Sequence, residues 1–398
     1  MNREPLRAVA TERGLVGGPF GSSLVNADYT HDGVPVIRGV NMSAGRFVGG
    51  EFAFVSLEKL ARDLAHNTAV PRDIIYTQRG TLGQVALVPS GGAETFVISQ
   101  SQMRLRVDPE RAVPEFVYYA STTNDFLGQI DDRAISTGVP HTNLGILAEL
   151  EIPLPSLAEQ QAIAEVLGAL DDKIAANTAL AGAVDDYLAT LLDDMAGGVG
   201  TTMLRSIADV NRRSVKPDAE GNLRYVDIAS VTVGSFEYPE ISAWSDAPGR
   251  ARRGLSAGDT MWSTVRPNRR SHALNLEDDA LLVASTGLAI LSPREVGFAY
   301  LYEASRRPEF SAYLENVAEG SAYPAVRADR FLEAPVPSLS ADHIHTFEAQ
   351  AAPLRELVAS LARENRTLAA TRDALLPQLM SGKLRVRDAE AEVSEAGV

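Results

Sequence analysis

The chain has 398 residues, 45% of them apolar, with no cysteine and a formal net charge of −15. That length exceeds one ordinary core and predicts two or more domains. The lack of cysteine excludes disulfides and thiolate metal sites, no apolar run reaches the roughly 18 residues of a membrane span, and the acidic total argues against a bulk basic nucleic-acid footprint. The opening residues, Met1 to Gly14, lack the apolar core of a secretory signal, so an intracellular, cytoplasmic location is expected. The charge is uneven. Residues 151–200 hold 1 basic and 9 acidic side chains, over half of the excess acid. DNA contact, if any, must use local arginine groups.

In chain order, Val36-Ile37, Ile74 to Tyr76, Val85 to Val88 and Met103 to Val107 are candidate strands bounded by Gly, Pro and Asp. Arg111 to Phe126 reads as one helix. Next comes a heptad pattern, with Ile163, Leu170, Asn177, Val184 and Leu191 in one row. Leu167, Ile174, Ala181, Leu188 and Met195 form the other row. This predicts a long helix with an apolar seam, stopped at Gly197-Gly198. Further candidate strands are Tyr225 to Ile228, Thr260 to Ser263 and Leu281 to Ala284. A second heptad helix follows, through Phe347, Leu354, Leu361, Leu368 and Leu375. Its other row is Ala351, Val358, Asn365, Arg372 and Leu379, and Gly382 is its stop. Pro353 reads as the start of the straight part, and Pro377 as a kink or an end. Asn177 and Asn365 fall on the seam, where a buried asparagine fixes register, unless they turn to solvent.

The chain repeats with a period near 185 residues. Ile152-Pro-Leu-Pro-Ser-Leu157 matches Ala334-Pro-Val-Pro-Ser-Leu339, and Arg72 to Arg79 matches Gly258 to Val265. Thr137 to His141 stands where Gly320 to Pro324 stands in the second copy. Shared order and near-constant offset favour duplication over chance. The architecture expected is α+β: two copies of a mixed domain, separated by two long helices that pair as an antiparallel coiled coil. The boundaries are 1–152, 153–198 (helix), 199–336 and 337–385 (helix), with an unstructured tail at 386–398.

Arginine suits guanine edges, and Asn or Gln suits adenine. Arg38, Gln78, Arg79, Thr81 and Gln102 are the candidates in the first copy. Arg250, Arg252, Arg253, Arg266, Asn268, Arg269 and Arg270 lie within 21 residues of the second, opposed there by Asp259 alone. A solvated charge run is the competing reading. The His141 loop and its counterpart Tyr323 in the second copy either touch phosphate or turn the chain. Tyr76 and Trp262 hold equivalent positions and read as core rather than stacking residues. The acid pairs Asp171-Asp172, Asp185-Asp186 and Asp193-Asp194 face away from DNA, toward solvent or toward a basic partner.

The string Gly138-Val-Pro-His-Thr-Asn-Leu-Gly-Ile-Leu-Ala-Glu-Leu-Glu-Ile-Pro-Leu-Pro-Ser-Leu-Ala-Glu-Gln-Gln161 resembles the end of a target-recognition domain in specificity subunits of Type I restriction-modification systems. In that family an I-P-L-P-x-x-x-E-Q-Q signature opens the first long helix. RDIIYTQRGTLGQVALV, from Arg72 to Val88, is similar to the family's G-D-I-L-x-S-x-x-G-x-x-G pattern. Gly17 to Ser23, Ile37 to Asn41 and Leu375 to Leu384 also fit. The second half departs from the pattern. Ala341-Asp-His-Ile stands where E-Q-Q falls, and Ser-Thr-Val-Arg-Pro-Asn-Arg-Arg270 replaces the glycine-spaced loop.

The resemblance implies two target-recognition domains that each read one half of a split, asymmetric sequence in double-stranded DNA. The helices would set the gap and dock two methyltransferase and two restriction subunits. S-adenosylmethionine, ATP and Mg would belong to those partners, with no cofactor and no metal in this chain. No N/D-P-P-Y/F methyltransferase motif, phosphate loop or nucleophile elbow is present, so a non-catalytic subunit is expected. The rival readings are a helical scaffold of a defence complex that no longer reads DNA, and a hydrolase or nuclease with a noncontiguous site.

Overall fold

The computed structural model describes residues 2–42, 45–135, 140–218, 220–320 and 323–395. The chain divides into two compact units: Met1–Ala176 with Glu364–Val398, and Asn177–Arg363. The sequence sets the two long helices apart as segments of their own. In the structure, each contributes one part to each unit's core.

The first unit opens with a two-stranded pairing of Arg3–Pro5 and Glu151–Pro153. A four-stranded antiparallel sheet follows, in the order Ala10–Gly17, Gln102–Val107, Ile74–Thr77, Val85–Leu87. A second sheet orders Tyr29–Thr30, Ala53–Val55, Val34–Ile37, Phe96–Ile98 and Thr68–Ala69, with Val34–Ile37 parallel to Phe96–Ile98. The second unit repeats this plan. Thr201–Met203 pairs with Pro335–Pro337. Ala208–Val210, Leu288–Pro293, Thr260–Ser263 and His272–Leu274 form its four-stranded antiparallel sheet. Ile241–Ala243, Asn222–Val226, Leu282–Ser285 and Ala251–Gly254 form the other, again with one central parallel pair. Duplication is thus visible in strand order.

Strand alternation divides the apolar side chains between two cores. Ile74 and Tyr76 join the cluster that holds the long helices, while Ile75 faces the second sheet. Trp262 and Met261 divide in the same way. Tyr76 is 2% exposed and donates or accepts at Ser121 Oγ (2.8 Å). Trp262 is 1% exposed and its indole N–H donates to Ser305 Oγ (3.4 Å). Each aromatic therefore ties the central sheet to the helix behind it, as a core residue.

The long helices are Leu157–Ala196 and Ala341–Ser381. Every seam position named from the sequence is buried or half-buried. Asn177 is buried and does not turn to solvent. In the first unit Ile163, Leu167 and Leu170 share a core with Leu368, Leu375 and Leu379. There Asp171 pairs with Arg372 at 2.8 Å and Lys173 with Glu364 at 3.4 Å, so partner numbers run in opposite directions and the pairing is antiparallel. In the second unit Val184, Leu188 and Leu192 pack with Phe347 and Ala351.

Four expectations are corrected. Arg111 to Phe126 is not one helix but Pro114–Ala120 and Asn124–Arg133. Thr123 ends the run by capping the Phe126 N–H, a bond that competes with helix continuation. Pro353 and Pro377 neither start nor end the second long helix. Both sit on its exposed face, where water can take the place of a lost backbone partner. Residues 386–395 are not an unstructured tail. Val386–Glu395 is a helix, with Ala389 and Val393 buried in the first unit's core.

The E-Q-Q signature has a structural explanation. Ser156 and Glu159 cap the helix start reciprocally. Gln160 is 1% exposed, and its side chain accepts from the Val113 N–H (2.9 Å) ahead of helix Pro114–Ala120. In the second unit Glu348 takes that role, accepting from the Ala299 and Tyr300 N–H groups at 3.2 and 2.8 Å. The missing Gln in the second copy is thus replaced by a carboxylate further along the helix.

Candidate nucleic-acid interface

In each unit the turn between the parallel strand and the central antiparallel strand gathers the candidate residues. In the first unit this turn is Ser99–Gln102. Its Ser101 carbonyl accepts from the Gln78 and Arg79 N–H groups (2.7 and 3.4 Å), and the Ser99 N–H donates to Ile37, next to Arg38. Arg79 bridges to His141, and His141 to Ile135. Arg79 and Thr81 are exposed, while Gln78, His141 and Arg38 are half-buried. The Arg38 guanidinium lies 6.0 Å from the Tyr29 ring. Gly80, with φ of 101°, gives the loop its reversal.

Gln102 leaves the candidate set. It is fully buried under the turn and its amide is spent on Ser99. In the orientation that satisfies both ends of the amide it also donates to Ile37 and accepts from Gly39. Ser136 to Val139, part of the His141 loop motif, lie outside the described residues.

In the second unit the equivalent turn is Ser285–Gly287. The Thr286 N–H donates to the Arg250 carbonyl (2.8 Å), and the Thr264 N–H to Gly287 (2.9 Å), so both arginine groups meet there. The loop after Thr260–Ser263 is held by bridges from Val265 to Ala325 and from Ala325 to Glu319, matching Arg79, His141 and Ile135. The structural counterpart of His141 is therefore Ala325, not Tyr323. Ser321 and Ala322 lie outside the described residues.

The loop itself is wound tightly. Arg266 and Arg270 take φ of 52° and 53° on either side of a short helical turn, Pro267–Arg269. Left-handed geometry at two non-glycine residues costs on the order of 1 kcal/mol each. Three contacts hold it. The Arg266 N–H donates to Pro324 (2.7 Å), Ser263 Oγ donates to the Val265 carbonyl (2.8 Å), and His272 Nδ1 meets the Arg270 carbonyl (2.6 Å). Asn268, Arg269 and Arg270 are exposed, and Arg266 lies 4.7 Å from the centre of the exposed Tyr323 ring. Arg250 is exposed. Arg252 and Arg253 are half-buried on strand Ala251–Gly254, and Arg252 bonds its neighbour's carbonyl.

The aspartate of each strand-opening dipeptide is an anchor rather than a reader. Asp73 caps the Val70 N–H and grips Arg106 through two bonds (2.8 and 2.7 Å). Asp259 does the same for the Ser256 N–H and bonds Ser292 at 2.6 Å, and burial pushes its carboxyl above the usual range.

The acid pairs are not simply a solvated face. Asp172 pairs with Arg46, Asp171 accepts from Tyr119 and pairs with Arg372, and Asp193 pairs with Arg307. Asp185 pairs with Arg306 and Arg355. One carboxylate of each pair at least is taken by an arginine of its own unit, which offsets the local acid excess.

His272 is 3% exposed, stacked on Trp262 with centroids 4.7 Å apart. Burial pushes its imidazole down to about 4, against the Arg270 carbonyl bond that favours the charged ring. The folded value lies below the unfolded value of about 6.5, so the unfolded chain takes the proton first. The contribution is complete above about pH 6.5 and declines as pH falls toward 4. Denaturant titrations at pH 7 and pH 5 should show the second unit losing about 2 kcal/mol. His272→Gln should flatten that loss, and an equal loss in the variant would disprove it.

Residues 26–183 match the family model described as Type I restriction modification DNA specificity domain. The Type I restriction enzyme MjaIX specificity subunit of Methanocaldococcus jannaschii is 29% identical over 117 residues, 29% of this chain. The matched stretch spans about a quarter of that relative, 26% of its length. The crystal structure of the Type I restriction-modification S subunit from M. genitalium superposes with a TM-score of 0.56 at 17% identity, covering 95% of each chain. Residues 26–183 thus match that specificity-domain family, and over 95% of its length the chain shares the fold of that S subunit, in keeping with the resemblance read from its sequence.

Proposed function

We propose that the chain reads a bipartite, asymmetric sequence in double-stranded DNA, one half-site per unit, and is not itself catalytic. The observation that carries this is the repeated turn, beside which loops after equivalent strands expose arginine in both units, Arg79 in the first and Arg269 and Arg270 in the second. The helices act as the spacer and as the dock for two methyltransferase and two restriction subunits. S-adenosylmethionine, ATP and Mg serve those partners, and the chain works in the cytoplasm where the DNA is. No helix among the described residues is long and apolar enough to cross a membrane. No group of His, Asp and Glu among them is set to hold a metal.

The contacts divide by type. Arg79, Thr81 and Gln78 reach DNA from the first unit, with His141 behind them. Arg266, Asn268, Arg269 and Arg270 do so from the second, with Arg250 alongside. The Arg266 guanidinium sits over the Tyr323 ring, a contact that narrows the freedom of its fork before it meets a guanine edge. A scaffold that no longer reads DNA would have no use for two strained arginines at a loop tip.

Arg266→Ala and Arg269→Ala, measured by duplex binding at several salt concentrations, test this reading. Removing a hydrogen bond to a base edge should cost ~1–3 kcal/mol and relax one position of the site, while removing an ion pair to a phosphate lowers the salt slope by about one. Unchanged affinity across salt and sequence would remove the loop from the interface.

A further inference from the structure

Phe20 is 92% exposed, more than any other large apolar side chain among the described residues. It lies between Pro19, which is buried, and Gly21, which takes φ of 58°. An exposed ring on a loose loop would mean little, but this loop is tied down at both ends. Asn67 Nδ2 donates to the Gly17 carbonyl (2.7 Å), and the Gly18 N–H donates to Gln102 (2.8 Å). Gly18 runs so close to Ser99 that a Cβ there would come within 2.0 Å of its carbonyl oxygen. Beyond the ring, the Gln100 amide donates to the carbonyls of Gly21 and Leu24 (2.7 and 3.0 Å). The fold thus holds a bare phenyl ring in water, and holds it at the turn that also carries Gln78 and Arg79.

We infer that Phe20 is an apolar wedge that enters the first unit's half-site and partly unstacks one base step. This rests on the DNA-reading function proposed above. The apolar surface a duplex offers to such a ring is mainly its base faces, and phenylalanine is among the side chains that pry base steps apart. The side chains that surround the ring's loop argue for nucleic acid over a protein partner. Gln100 and Arg79, tied to that loop and its turn, are exposed and polar, the types that bond phosphates and base edges rather than complete an apolar contact. Among the described residues the second unit has no such exposed ring on the equivalent loop. Asn211, Arg212 and Arg213 follow strand Ala208–Val210 instead. The unstacking therefore belongs to one half-site.

The test uses the full chain with its methyltransferase partner and a duplex carrying the sequence found methylated in the host. 2-Aminopurine replaces, one at a time, each purine of both half-sites except the methylated adenines. The wild type should raise fluorescence at one step of the first half-site. Phe20→Ala should abolish that rise and weaken binding about tenfold or more, with an unchanged melting midpoint. Phe20→Leu should keep part of both. If the wild-type complex does not bind the duplex, the DNA-reading function itself fails. If it binds and Phe20→Ala matches it, the wedge is refuted. Weaker binding with no fluorescence change in the wild type also refutes it, pointing to a groove contact. Normal DNA binding with impaired partner association refutes it in favour of a protein-facing role.

Discussion

Replacing Arg355 with alanine should destabilise the second unit by about 3–5 kcal/mol. Arg355 is 3% exposed and lies between two acids of that unit. Its Nε donates to Glu303 Oε1 at 2.7 Å, its two terminal nitrogens reach Glu303 and Asp185, and its guanidinium lies 4.8 Å from the Tyr302 ring. Glu303 is 1% exposed. Burial holds its carboxyl above the ordinary range despite Arg355 and Arg306. Asp185, about a third exposed, feels burial less, and the same two arginines draw it below the ordinary range. The alanine variant strands Glu303 with Arg306 alone, 3.5 Å away. Breaking such a pair costs far more than never having built it, because the remaining charge has neither water nor a full partner. Arg355→Met with Glu303→Leu should therefore recover most of the loss. Denaturant unfolding of the three proteins measures this, and a loss under about 1 kcal/mol in the single variant would show that water reaches the cluster.

Much of this fold was legible in the sequence because periodicity carries packing. The two heptad rows named buried and half-buried positions throughout, and the alternation around Tyr76 and Trp262 placed both in the core. The duplication was legible too, since local matches kept their order and the strands repeat it. What stayed hidden depends on partners distant in sequence. Gln102 looks like a reader beside Ser101, yet the Ser99–Gln102 turn folds it under. Asp171 and Asp185 look like a solvated face, yet their arginines lie 121 to 201 residues away in the chain. Glu348 replaces Gln160 from a position no fixed offset would suggest. Phe20 sits in a segment whose sequence shows only its likeness to a family motif, because exposure on an anchored loop has no sequence period.

The candidate site shows the same division. Arginine clusters and glycine loops mark where the chain approaches a ligand, so Arg79, Asn268, Arg269 and Arg270 were found as exposed loop residues, with Arg266 half-buried beside them. Register across unlinked strands decides which loops share a turn. That is why Tyr323 was matched to His141, whose structural counterpart is Ala325.

Mapping methylated adenines in cells where residues 201–330 have been exchanged for the same segment of another such protein tests modular reading most directly. The account predicts a new sequence in one half of the methylated site, with the other half and the gap unchanged. A change in both halves, or methylation that still follows the original sequence, would contradict it.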